Sequence, residues 1–378
     1  MGSYTDSIKY LHLGSNDFDA TILGKFSILG LPSSFQSFLS RYYPSYIKPL
    51  KSIPKNQQFS FTVNTGNIEP YLKITDKKIA GFNYAKITGS VDTRLNQLGI
   101  IAEIPSGKYD NISFTGLDLK GKGNLDTLSL TGNISSTQVG DSLRFPNTRL
   151  AIISHQDHSV VSIKTSANNT FTEADLYADV YTLTDGVKVQ FRPSSFVLNE
   201  KKWSIEKSGE MIVRTNLAQA QNVKFTQGFQ EVAIESIPGN IGKTSNLVVK
   251  LKNVVLGDLT GIFFRDPRLE AVTSGNIALN DLMGNFQASA NLKAEQFRMD
   301  DDSIGLVNIK AGYDSKTGEI TYTVQSPNDG YRFSATGKYN VKDTTGKSFH
   351  TEIDLVNTRI DILHKFLSNL FTSITGQA

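Results

Sequence analysis

Alternation of apolar and polar residues, broken at short intervals by polar turns, restricts this chain more than any other feature. In "FDATILGKFSI", residues 18 to 28, Phe18, Ala20, Ile22, Gly24, Phe26 and Ile28 share one face, while Asp19, Thr21, Lys25 and Ser27 share the other. A period of two is that of a strand with one apolar side. The pattern returns at Phe59, Phe61 and Val63, at Leu98, Ile100, Ala102 and Ile104, and at Leu128, Leu130 and Ile134. It continues through Val187 to Phe191, through Leu247, Val249 and Leu251, through Ile277 and Leu279, and through Val307 to Tyr313.

Turn formers separate these runs: "PSGKYDN" at 105–111, "GKGN" at 121–124, "SANNT" at 166–170, "DSKTG" at 314–318 and "SPNDG" at 326–330. Each is short enough for a hairpin, so consecutive strands should pair antiparallel as a meander. Helix is sparse. Phe35, Phe38, Leu39 and Tyr42 follow a Pro-Ser-Ser start at i, i+3, i+4 and i+7, which predicts an amphipathic helix near 32–43. Leu363, Phe366, Leu367 and Leu370 predict another near 361–371, and a turn or two is expected around 259–271, limited by Pro267.

On the order of two dozen strands at about 4.8 Å each would make one stack roughly 100 Å long. Open twisted sheets rarely exceed about ten strands without curling, splitting or closing. A sandwich fills the space between its apolar faces, whereas a trough leaves a lining free. With Gly counted and Tyr left out, apolar residues are about 43%, under the roughly 45–50% usual for globular chains. That thin interior favours the trough. The expected fold is mainly β, an elongated curved antiparallel sheet forming a hydrophobic trough, with short amphipathic helices near both ends. Pro238 and two glycines in "ESIPGNIGKTSN" set an expected boundary between segments 1–235 and 236–378.

Thirty-nine basic and 36 acidic residues are scattered rather than blocked, which argues against nucleic acid as a partner. With no cysteine there is no disulfide, thiolate metal site or cysteine nucleophile. No run approaches the roughly 18 apolar residues of a membrane-spanning helix. The opening Met1-Gly2-Ser3 reads as a cloning remnant, so any targeting or anchoring segment is expected to lie outside this sequence.

"IPGNIGKT" ends like a phosphate-binding loop, but Ile237 stands where the first glycine belongs and a strand pattern follows. "HQDH" sets His155 and His158 three apart beside Asp157. In a continuous strand that spacing points them to opposite faces, so a solvated turn is expected rather than a metal site. Asp300 to Asp302 lack the Gly and distal Glu of a calcium loop and read as a charged strand end. No catalytic elbow or paired nucleophile appears, and neither an enzymatic activity nor a cofactor is expected.

Three stretches, "FDATILGKFSILGLPSSFQSFLSRYYPSY", "SSFVLNEKKWSIEKSGEMIV…VKFTQGFQEVAIES" and "GDLTGIFFRDPRLEAVTSGNIALNDLMGNFQASANLKAEQFRMDDDSIGLVNIKAGYD", share an order of features. Each joins apolar strands to a small helix, a Gly turn or a Pro turn. In this they resemble the TamB translocation and assembly module family of the AsmA-like superfamily, in its Bacteroidetes form. The resemblance implies a periplasmic protein, anchored to the inner membrane by a segment outside this sequence, whose curved sheet, a β-taco, shelters phospholipid between the two membranes. It also implies support of outer-membrane assembly with a BamA-like barrel partner, although no barrel-meeting segment is identifiable here. The residues expected to line such a groove are Phe18, Ile22, Phe26, Phe59, Phe61, Val63, Ile100, Leu128, Leu130, Val249, Leu251, Ile277, Leu279, Phe286 and Phe333. The helices would then cover strand edges, plug the groove or complete a core. Two other readings stay open: a secreted or surface β-sandwich module that recognises protein or glycan, and a glycan-processing enzyme with paired carboxylates.

Overall fold

The computed structural model describes residues 2–5, 8–52, 56–140, 143–166, 171–237, 245–260, 268–343, 349–359 and 376. It divides into two compact units, residues 1–200 and 201–378. Both are mainly β, made of curved, open antiparallel sheet, as the alternation predicts.

In the first unit the strands are β1 (Gly2–Thr5), β2 (Ile8–Gly14), β3 (Phe18–Lys25), β4 (Gln58–Thr65), β5 (Ile79–Gly81), β6 (Lys86–Asp92) and β7 (Gln97–Tyr109). They continue as β8 (Ile112–Gly123), β9 (Leu128–Val139), β10 (Leu143–His155), β11 (His158–Ser166), β12 (Phe171–Leu183), β13 (Gly186–Phe191) and β14 (Ser194–Leu198). Each pairs with the next, with two departures. β4 passes over β5 to pair with β6, and β5 extends β6's line along the far half of β7. β13 and β14 share β12 lengthwise.

The register collects one apolar row across these strands. Leu11, Ile22, Phe61, Gly89, Ile100, Gly121, Leu130, Ile152, Val161, Ala178 and Phe191 are successive cross-strand partners. Three residues along, on the other face, the row reads Asp19, Asn64, Lys86, Glu103, Asp118, Asn133, Arg149, Lys164 and Asp175. A slip of one residue would exchange the two faces, so burial of the apolar row fixes the register.

Helix α1 (Leu31–Tyr42) follows a 3₁₀ turn at Ile28–Gly30 and lies on that apolar face. Pro32 opens it, and the Ser34 and Ser37 hydroxyls donate to the carbonyls of Gly30 and Ser34 at 2.9 and 2.7 Å, instead of capping free amides. Phe38 and Tyr42 are fully buried against Phe26, Phe59, Val91 and Leu128. Phe35 meets Phe59 and Phe61 edge-on at 5.9 and 5.4 Å. At the other end of the helix the Tyr42 hydroxyl donates to the Asn124 carbonyl, and Tyr43 Oη bonds Ser154 Oγ at 2.8 Å. The helix therefore runs across the strands from β4 to β10, along one end of the face. A second helix, α2 (Glu69–Thr75), without a strong sequence signal, fills the excursion between β4 and β5.

The second unit holds β15 (Lys201–Ile205), β16 (Glu210–Arg214), β17 (Leu217–Gln221), β18 (Val223–Gln227), β19 (Gln230–Ser236) and β20 (Leu247–Val255). Helix α3 (Leu256–Thr260) precedes β21 (Leu269–Asn280), β22 (Gln287–Met299), β23 (Asp302–Asp314), β24 (Glu319–Ser326), β25 (Arg332–Asn340) and β26 (Phe349–Val356). Its apolar row is Ile205, Phe225, Val232, Leu251, Gly275, Leu292, Ile309, Val324, Ala335 and Ile353. The facing row is Lys250, Asn276, Asn291, Lys310, Thr323, Thr336 and Glu352.

Extra residues keep that apolar face continuous. The ladders shift between Leu251 and Val254 and between Ala294 and Phe297, around Asn253 (φ +52°) and Gln296 (φ +53°). Each bulge resets the alternation, returning Val254, Phe297 and Met299 to the face of Leu251 and Leu292. There Ala271, Ala294, Met299, Ile304, Val307 and Tyr331 form a closed core.

Several expectations are corrected. The boundary expected at 235/236 falls within the second unit, because β19 and β20 pair from Glu231↔Lys252 to Ser236↔Leu247 across it. "GKGN" is a turn only from Asn124, whose Oδ1 accepts the amides of Asp126 and Thr127; Gly121 and Gly123 belong to β8. In "PSGKYDN" the strand runs on to Tyr109 and turns at Asp110, where φ is +55°. The expected helix at 361–371 and most of "IPGNIGKT" lie outside the described residues.

Phe38→Ala, which empties a fully buried ring site, is expected to cost about 3–5 kcal/mol. Urea unfolding followed by circular dichroism would measure it.

Candidate functional site

The apolar faces hold all fifteen residues expected to line a groove, in two groups. In the first unit Ile22, Phe61, Ile100 and Leu130 stand on the central row. Phe59 and Leu128 lie on the adjacent row with Val91, Leu98 and Gly123, beneath α1. Val63 and Phe18 lie on the opposite side, towards the other strand ends, Val63 beside Ala20 and Ile87 and Phe18 beside Thr65. Phe26 follows β3 and meets Phe59 edge-on at 5.9 Å.

In the second unit Leu251 is on the central row, Val249 pairs with Ile277, and Leu279 pairs with Leu247. Phe333 pairs with Leu355 and packs against the closed core. Phe286 precedes β22 and places its ring 6.0 Å from Tyr313.

Their exposures differ, and this corrects the expectation of a uniform lining. Phe26, Phe59 and Leu128 are 5, 3 and 6% exposed. Their faces are already covered by α1, so they belong to a closed core. Away from α1, Leu150, Ile152, Val161, Ile163 and Leu176 are only half-buried. A filled sandwich interior would bury such residues as completely as Phe38.

Glycines, absent from the candidate set, shape this face. A Cβ on Gly121 would lie 2.5 Å from Ile100 Cγ2 and 2.7 Å from Leu130 Cδ2. One on Gly89 would collide with the Phe61 ring, and one on Gly123 with the Tyr42 hydroxyl. Large side chains thus lie over glycine neighbours, which makes a low, smooth apolar floor rather than a ridge of upright side chains. Gly337 does the same for the Tyr322 ring in the second unit. The available signal was a glycine in phase with the apolar positions of a strand.

Polar groups on and around the faces are partnered structurally. His155 and His158 pair across a two-residue turn at Gln156-Asp157, both with positive φ, so hairpin geometry and not a continuous strand governs their directions. His155 Nδ1 meets the Asp126 carbonyl at 2.6 Å, and His158 Nε2 meets Asp179 Oδ1 at 2.7 Å. Asp157 accepts the Ser45 amide and hydroxyl. Arg192 binds Asp179 through two nitrogens at 2.6 Å, and these bonds, with the weaker help of His158, hold the Asp179 carboxyl below the usual carboxylate range. Asp300 and Asp302 bind the Arg268 amide and the Tyr331 hydroxyl. Among the described residues no His, Cys, Asp and Glu group could hold a metal ion.

Two clefts open on the polar faces instead. One of about 830 Å³ includes Asp118, Arg149, Lys164, Glu173 and Asp175; the other, of about 810 Å³, includes Asn276, Asn291, Lys310, Lys338 and His350. Lys164 bonds Asp175 at 3.0 Å and stands over the Tyr177 ring.

No family model, curated protein or solved structure matches the chain.

Gly121→Val should force Ile100 and Leu130 off the floor and cost about 1–3 kcal/mol; denaturant unfolding beside Gly99→Ala, whose nearest neighbour is the Ser90 hydroxyl, would isolate that effect. The Tyr42 hydroxyl is a second probe. Burial, then the charge of Asp126, pushes its pKa well above that of a free tyrosine. A folded pKa raised above the unfolded one gives stability that is complete below about pH 10 and lost as pH rises through the folded value. Tyr42→Phe should flatten that alkaline loss, as melting temperatures at increasing pH would show.

Proposed function

We propose that this chain shelters the acyl chains of phospholipid along its apolar sheet faces and passes them between membranes, with no catalysis and no cofactor. The observation that carries the reading is the central row of the first unit. Its large side chains lie flat over glycines, stay half-buried away from α1, and face polar rows only across the sheet. A methylene leaving water for such a surface gains about 0.8 kcal/mol. Repetition of near-equivalent rows lets a chain shift along the face without crossing a polar barrier. α1 is a wall along one side of that path, and its rings fill the space that an acyl chain would take there.

The resemblance to the TamB family supports the same reading. It adds a periplasmic location, an inner-membrane anchor outside this sequence, a role in outer-membrane assembly and a BamA-like barrel partner for the longer protein. No helix among the described residues is long and apolar enough to cross a membrane.

The polar clefts favour a second reading, a surface module that binds a glycan or a protein segment. Arg149, Lys164, Asp118 and Glu173 offer mixed charge and hydrogen-bonding groups there.

Mass spectrometry of organic extracts from the purified chain separates the two. Phospholipid in the parent, lost from a folded Ile152→Asp/Ile163→Asp variant, is expected. Lipid absent from the parent, or retained by that variant, would remove the acyl-chain reading and leave the clefts as the functional surface.

A further inference from the structure

The first unit has two sets of strand ends, and they differ in charge. At the ends away from α1, Tyr71, Ile74, Tyr84, Tyr109 and Ile112 are exposed. Most of the cations there are offset: Lys73 pairs with Glu69 and Lys78 with Asp110, Asp17 and Asp76 equal Lys77 and Lys108 in number, and Arg144 donates to the Ser136 hydroxyl.

At the α1 ends the balance breaks. Lys25, Arg41, Lys48, Lys51 and Arg94 are exposed, and none has an ion pair among the described residues. Four carboxylates share this end, Asp185 on the β12–β13 turn among them. Asp92 accepts the Arg94 and Leu95 amides, Asp157 accepts the Ser45 amide and hydroxyl, and Asp126 lies beside Tyr42.

Three apolar side chains project among these cations. Leu29, at the crest of the 3₁₀ turn, is 92% exposed, Leu95 58% and Ile28 51%. Hydrogen bonds gather them. Gln57 Oε1 accepts the Ser27 amide, and the Gln57 carbonyl accepts the Thr93 amide, so the turn bearing Ile28 and Leu29 is tied to the turn bearing Arg94 and Leu95. Gln36 Nε2 donates to the Lys48 carbonyl at 2.9 Å, which brings the segment of Lys48 and Lys51 back along the outer side of α1.

We propose that the α1 ends of the first unit dock on an anionic phospholipid bilayer surface, with Leu29, Leu95 and Ile28 entering the headgroup region. The unneutralised cations select the occupant. A protein partner would bury the apolar residues but would also have to supply several carboxylates, whereas an anionic leaflet supplies countercharge at every position. Each Lys or Arg near such a surface contributes roughly fivefold to partitioning, and the apolar side chains add their transfer from water. This docking is independent of whether acyl chains lie on the apolar face.

Flotation of the whole chain with vesicles of phosphatidylcholine alone, or of phosphatidylcholine with phosphatidylglycerol, tests it. Flotation is expected only with phosphatidylglycerol, weakening as salt is raised. Lys25→Glu/Arg94→Glu should lower partitioning by more than about tenfold. Leu29→Ser/Leu95→Ser should reduce it, and Ile74→Asp at the opposite strand ends should leave it unchanged; circular dichroism would establish that each variant is folded. No flotation with phosphatidylglycerol, equal flotation with both vesicles, full binding by a folded charge-reversed variant, or loss with Ile74→Asp would each overturn the proposal. Flotation retained by the Ile152→Asp/Ile163→Asp variant separates docking from acyl-chain shelter.

Discussion

One-sided burial is the constraint on which both units depend. Most long strands carry their apolar residues on alternate positions, with outward exceptions such as Ile101 and Ile153, so each sheet has one face that water disfavours and one that it largely solvates. The first unit covers part of its apolar face with α1, through Phe35, Phe38, Leu39 and Tyr42. The second closes a core around Ala294, Met299 and Val307. Outside the closed region of the first unit, residues such as Ile152, Val161 and Leu176 remain half-buried.

The sheets manage the geometry with small devices. Glycines opposite Phe61, Ile100, Leu130 and Tyr322 let large side chains recline, and so set the depth of the face. Bulges around Asn253 and Gln296 preserve its polarity where simple alternation would have inverted it. Neither contributes much apolar area, yet each decides which atoms the face presents. The same economy appears at the turns: His155, His158 and Asp157 could suggest a metal site, but a hairpin turn sends them to three different partners.

Two properties of the first unit bear on one another. The apolar face bounded by α1 suits chains of methylenes, and the basic strand ends beside α1 suit an anionic leaflet. A surface that holds acyl chains gains from standing next to their source, since a chain leaving a bilayer then spends little of its path in water. The polar clefts on the opposite face keep the competing reading, glycan or protein recognition, physically grounded.

Much of this was legible in the sequence. A period of two names a strand and its apolar side without knowledge of its neighbours, which is why Ile22, Phe61, Ile100, Val249 and Leu251 were placed on a common face within their own units, and why Phe35 to Tyr42 read as a helix. What the sequence could not convey depends on contacts far apart in the chain. Gly121 and Gly123 resembled a turn until Ile100, Leu130 and Tyr42 were brought over them. Phe26, Phe59 and Leu128 resembled open lining until α1 settled on them. Local periodicity fixes the direction of a side chain relative to its own backbone; only the tertiary structure decides what stands in front of it, because burial is a property of the partners and not of the strand.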